Sequence, residues 1–244
     1  MKKLLLTAAL ALATGCSSLD QYHTKEHPTL EMTIQEGRAH LAQLAQTKKH
    51  EDSWARIGNK WIDIGRGSSE HMDVVNMAEG KATFQSLGIH VDRKLTERIL
   101  KRNREVEFYH YHPSIDQFLI NLPELEGAKI EIDPGVLAQD IFPSGPDIAM
   151  TLQLAIEGAK YNTNITDTVV STFGITQTRL TEKGIKFYTD LPGIVETDAL
   201  LYAVDLRERL STIRGPDIQQ GARQIAKEIS NDLYTITFLP FEKK

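Results

Sequence analysis

Between Val91 and Pro113 the apolar pattern of the chain changes period. In "VDRKLTERILKRN" the residues Leu95, Ile99 and Leu100 fall on one face of a helix. Directly after it, "EVEFYHYHP" is rich in aromatic and β-forming residues, the composition of a strand, and Pro113 ends it. A helix that runs straight into a strand points to a fold that mixes the two. The strand also poses a chemical question. Residues two apart share one face of a strand, so His110 and His112 point the same way, a few ångströms apart. Two neutral imidazoles held together suit a divalent metal. The plain alternative is a pair that lines a half-exposed face.

The rest of the chain repeats this mixture. Thr33 and Glu36 form a capping-box pattern ahead of Ile34, Leu41, Leu44 and Ala45, which predicts a helix over 34–49. "SWARIGNKWIDIGRG" reads as strands about a turn at Asn59, and "HMDVVNM" as another strand. A hairpin about Glu126-Gly127 fits the segment after Pro113. "PSGPDIAMTLQLAIEGAK" opens a helix with Ile148, Leu152, Ala155, Ile156 and Ala159 on one face. "DTVVSTFGITQTRLT" and "IKFYTDL" read as strands. Two helices, 197–213 and 217–231, follow on either side of Gly215-Pro216, and "YTITFLPF" closes the chain as a strand. The expected class is α/β, with α+β the alternative the pattern leaves open.

The N-terminus reads as an address. "MKKLLLTAALALATGC" has a two-lysine head, an apolar stretch from Leu4 to Ala13 and small residues before Cys16, the pattern of a secretory signal. It is too short for an ordinary membrane span. Cys16 is the single cysteine of the chain, so no intramolecular disulfide is available to the fold. With residues 1–15 removed, 26 basic and 33 acidic residues remain, a formal charge of −7. No basic stripe of the kind nucleic-acid binding needs is present. The sequence also lacks a G-x-S-x-G elbow, an HExxH helix and a P-loop. The remaining 229 residues are enough to bury a sizeable core.

A catalytic zinc takes three protein ligands and keeps one position open. The third candidate here is Asp147 in "PSGPD", with Ser144 three residues before it. The same Ser-x-x-Asp, ahead of an apolar periodic run, also reads as a helix cap, and Pro146 fits that alternative.

Taken together, a strand ending in His110-x-His112-Pro113, followed by Ser144-x-x-Asp147 opening a helix, resembles the JAMM motif of the JAB/MPN metallopeptidase family. The resemblance covers residues 33–191, with 114–142 an insertion, and implies a central mixed sheet flanked by helices. Residues 192–244 lie outside it, as a helical extension with a final strand. By resemblance His110, His112 and Asp147 hold Zn2+, and Ser144 polarises the oxyanion. The family's general base stands just after the first helix, which points to Glu51, with Glu70 the alternative and Asp52 third. Two departures stand out. Tyr111 occupies the place of the family's usual serine, and 31 residues separate His112 from Ser144 where the family has a short connection.

The ending Ala13-Thr14-Gly15-Cys16 resembles a bacterial lipobox, with alanine where leucine is preferred. That implies a lipid-anchored Cys16, a tether over 16–32, and, with Ser17 after the cysteine, an outer-membrane lipoprotein facing the periplasm. The implied activity is hydrolysis of peptide or isopeptide bonds in the cell envelope, with a peptide or protein as substrate. The alternative is an inactive JAB-fold lipoprotein that acts as a scaffold.

Overall fold

A two-residue turn at Gly58-Asn59, with Gly58 at φ +60°, folds strand β2 (Asp52–Ile57) back on β3 (Lys60–Arg66). This hairpin is part of a single eight-stranded mixed sheet. The structure, a computed structural model, describes residues 28–48, 51–66, 90–114, 134–213 and 217–242. The other strands are β1 (Thr29–Glu31), β4 (His90–Val91), β5 (Glu105–Tyr111), β6 (Asn164–Val170), β7 (Gly174–Leu180) and β8 (Tyr234–Pro240). Their order is β1-β3-β2-β5-β6-β7-β8, and β4 also pairs with β3. Every pairing is antiparallel except β5 with β6. β1 lies within the stretch read as a tether.

Helices cover both faces. On one side lies α1 (Ile34–Thr47), started by a complete capping box between Thr33 and Glu36. Its Leu41 and Ala45 pack on Trp54, Trp61, Tyr109 and Tyr111. Gly37 allows the approach, since a Cβ there would overlap the Trp61 ring. The other side carries α2 (Arg93–Arg102), α3 (Gly145–Lys160), α5 (Val195–Leu210) and α6 (Ile218–Ile229), which bury Leu95, Ile99, Ile148, Leu152, Tyr202 and Ile225. β5 divides between the two cores. Val106 and Phe108 face the larger, Tyr109 and Tyr111 the smaller.

The parallel β5–β6 pair dictates where the site forms. A parallel neighbour can be reached only by a crossover, here the helix α3. To return the chain to the start of β6, α3 must begin near the end of β5. The long connection after Pro113 leaves that constraint untouched. Its described end is one helical turn, Pro134–Leu137, and a 3-10 turn, Ala138–Ile141.

The segment "IKFYTDL" corrects the strand expectation, because it lies in α4 (Glu182–Asp190). Thr181 caps this helix by accepting the Gly184 N–H, and the buried pair Gly184 and Tyr188 is spaced one helical turn apart. Its aromatic and β-branched composition imitates a strand, and packing overrides it. The segment 192–244 supplies α5, α6 and β8, and β8 pairs with β7 along its whole length. Among the described residues, no helix is long and apolar enough to cross a membrane.

Candidate metal centre

β5 and its neighbours bring the site together by register. β2 pairs antiparallel with β5, with Ser53 opposite His110. Continuing that register sets Glu51 level with His112. The His112 N–H donates to the Val170 carbonyl at 3.0 Å, so β6 holds the residue just beyond the strand. The Ser114 N–H donates to Ala45 O at 2.9 Å, which ties the strand's exit to the end of α1. Asp147 sits in the first turn of α3, above the same strand end.

His110, His112 and Asp147 are all buried, and each offers a ligand atom within 4.8 Å of the others. The two imidazole rings lie 5.1 Å apart. Asp147 Oδ1 is 3.6 Å from His110 Nε2, and Oδ2 is 3.3 Å from His112 Nε2. The same Oδ2 accepts the Ser144 N–H at 2.7 Å and the Ser144 hydroxyl at 2.6 Å. The capping box is therefore formed, and the carboxylate that closes it also faces both histidines. His112 Nδ1 lies 3.2 Å from the Asp140 carbonyl. That contact is a hydrogen bond when Nδ1 carries the proton, which leaves the Nε2 lone pair free. His110 Nε2 is buried without any hydrogen-bond partner. Two imidazole nitrogens and a carboxylate oxygen, one nitrogen orphaned, fit a divalent metal. Together these three residues can hold a metal ion.

Two members are open to solvent where the three ligand candidates are buried: Ser144 is exposed, and the Glu51 side chain is 30% exposed against 8% for Asp147. Glu51 Oε1 is 3.9 Å from His112 Nε2. Loss of hydration raises the Glu51 carboxyl above the ordinary range; His112 opposes this and Asp147 adds to it. Burial disfavours the charged forms of both histidines, yet the carboxylates beside them win. Asp147 and Asp167 raise His110 well above its usual value, and Asp147 and Glu51 raise His112. Burial likewise opposes charge on Asp147, but the two histidines hold it well below the usual carboxylate range.

Of the residues singled out from sequence, His110, His112, Asp147, Ser144 and Glu51 come together here. Asp52 does not, because it faces the α1 side, where its Oδ2 accepts the Tyr111 hydroxyl at 2.9 Å. Cys16, Glu70, the "HMDVVNM" strand, the Glu126-Gly127 hairpin and the Gly215-Pro216 break lie outside the described residues. Sequence reasoning passed over Asp167 and Thr151. The Thr151 hydroxyl lies 2.8 Å from Asp167 Oδ2 and 2.9 Å from the Asp147 backbone carbonyl, joining β6 to α3 under the site. A lone acid within the otherwise uncharged "NITDTVVST" was the available signal. Tyr202 of α5 was also missed. Its hydroxyl donates to the Pro143 carbonyl at 3.0 Å, bracing the chain just before Ser144.

Comparison of the chain with protein-family models, with curated proteins and with solved structures gave no match.

Proposed function

We propose that this protein is a zinc-dependent hydrolase of peptide or isopeptide bonds, related to the JAB/MPN metallopeptidases. The single observation that carries the reading is the buried cluster of His110, His112 and Asp147, with Glu51 on its solvent side. His110 Nε2, His112 Nε2 and the Asp147 carboxylate would hold the ion. A zinc ion there supplies Lewis acidity, which polarises an amide carbonyl and makes water a competent nucleophile near neutral pH. Glu51 takes the proton from the attacking water at its carboxylate and passes it to the leaving amine. Its raised affinity for protons, from partial burial, suits it to both halves of that transfer. The Ser144 hydroxyl, turned from Asp147, donates to the oxygen on which negative charge develops. No residue of the chain forms a covalent bond to the substrate in this scheme.

The substrate belongs to the cell envelope in this reading, with Cys16 carrying a lipid anchor and 16–32 including the tether. A protein tail, a small peptide and a peptidoglycan cross-link all carry a suitable bond.

The test is metal content and hydrolysis on the purified chain. About one zinc per chain is expected in the wild type, lost in His110→Ala and in Asp147→Ala. Glu51→Gln is expected to keep its zinc and lose about 10²–10⁴-fold in turnover on peptide and isopeptide substrates. Zinc near zero in the wild type, after metal-replete purification, sinks the reading. Zinc lost in the histidine variant alone would leave Asp147 as a helix cap and nothing more.

A further inference from the structure

We propose that Asp167 is a positioning residue for His110, holding the proton on Nδ1 so that Nε2 is committed to the metal. The inference rests on the metal-centre reading and adds to it a residue that the His-x-His and Ser-x-x-Asp motif does not include. In the parallel β5–β6 register Asp167 stands opposite Phe108, two residues before His110, on the face that carries His110. Its side chain is 1% exposed, so both carboxylate oxygens depend on protein partners. Oδ2 has one in the Thr151 hydroxyl at 2.8 Å. Oδ1 has no hydrogen-bond partner, and it lies 3.7 Å from His110 Nδ1.

A residue kept only to anchor α3 through Thr151 needs a single acceptor atom, which an asparagine or a threonine supplies without burying a charge. The second oxygen is explained by His110. Hydrogen bonds of the N–H···O type run about 2.7–3.2 Å, so a shift of about half an ångström converts this approach into one. His110 and Asp167 line one small cavity together with Ser53, Ile64, Met150 and Leu154. The other histidine has the same arrangement, with the Asp140 carbonyl 3.2 Å from His112 Nδ1. Each imidazole therefore meets an acceptor at Nδ1 and faces Asp147 through Nε2. Such partners fix the tautomer and raise the basicity of a ligating histidine.

The experiment compares the wild type with Asp167→Asn and Asp167→Ala. Zinc affinity is measured by competition with a chromogenic chelator. Nitrogen-15 NMR of the zinc-loaded protein reads the His110 Nδ1–H, and circular dichroism of the metal-free protein reports folding. Asp167→Ala is expected to bind zinc about 10–100-fold more weakly. Asp167→Asn is isosteric and retains an acceptor, so it is expected to fall between the two. Its His110 Nδ1–H resonance should shift upfield, a change that a packing role would not produce. Should the alanine variant fail to fold, the asparagine variant still gives both readings. Wild-type zinc affinity and an unshifted Nδ1–H in Asp167→Asn would overturn the inference while leaving the metal centre intact. A wild type that binds no zinc would overturn both.

Discussion

The Asp147 carboxylate is shared between a helix cap and two imidazoles, and that sharing governs how the site answers to pH. His110 and His112 have raised pKa values because carboxylates hold their charged forms. In the metal-free protein their contribution to stability is fully present below the unfolded value of about 6.5. It is lost as pH rises through the higher folded values. Asp147 has the opposite sign. Its depressed pKa contributes stability above the unfolded value of about 4, lost as pH falls through the folded one. A metal needs both histidines neutral, so it competes with protons for them. Zinc affinity is therefore expected to fall on acidification, beginning above about pH 6.5, with up to about two protons released per ion. Competition titrations at a series of pH values would measure this, and an affinity flat across neutrality would count against the ligand set. Glu51 and Asp52 show how fine the geometry is. Adjacent in sequence, they fall on opposite faces of the sheet, one toward His112 and one toward Tyr111.

Among the elements, α1 is held to the sheet by close contact as much as by apolar area. The Trp61 ring is fully buried, its Nε1–H donates to Met32 O at 3.1 Å, and Gly37 lies directly against it. Gly37→Ala would gain about 1 kcal/mol of helix propensity, but its Cβ would overlap a ring that has no free direction. Overpacking of this kind costs about 1–3 kcal/mol, so a lower urea midpoint is expected for the variant. A midpoint equal to or above the wild type would mean that α1 slides to make room. α1, α2 and α3 could be read from sequence because each carries its own cap and apolar stripe. α4 could not. Its Tyr188 spacing was legible, but Ile185 and Phe187 favour a strand, and what decides is the packing of Gly184 against the Leu233 backbone nearly fifty residues away.

The centre also depends on chain far from it. α5 reaches Pro143 through Tyr202, and its Ala199 and Ala203 pack against Gly145 at the start of α3. β8 covers the edge of β7. A chain ending at Leu191 would lose Val195, Tyr202, Leu206, Ile225 and Phe238 from the larger core and uncover that edge. We expect such a truncated chain to aggregate and to bind no zinc, as followed by gel filtration and metal analysis. A monomeric, zinc-binding fragment would show that 192–244 is dispensable to the site.

The features that could be read along the chain are those whose physics is short-ranged. The His110–His112 pair follows from the strand period, the Ser144–Asp147 box from helix-end chemistry, and the mixed class from the alternation of periods. Whether Asp147 meets the histidines could not be read that way, because 31 residues intervene between His112 and Ser144. The parallel pairing of β5 with β6 answers it, since the crossover helix must start where β5 ends. Asp167 becomes visible through the same pairing: it reaches His110 across two strands, by a register set by non-local hydrogen bonds that no local pattern records.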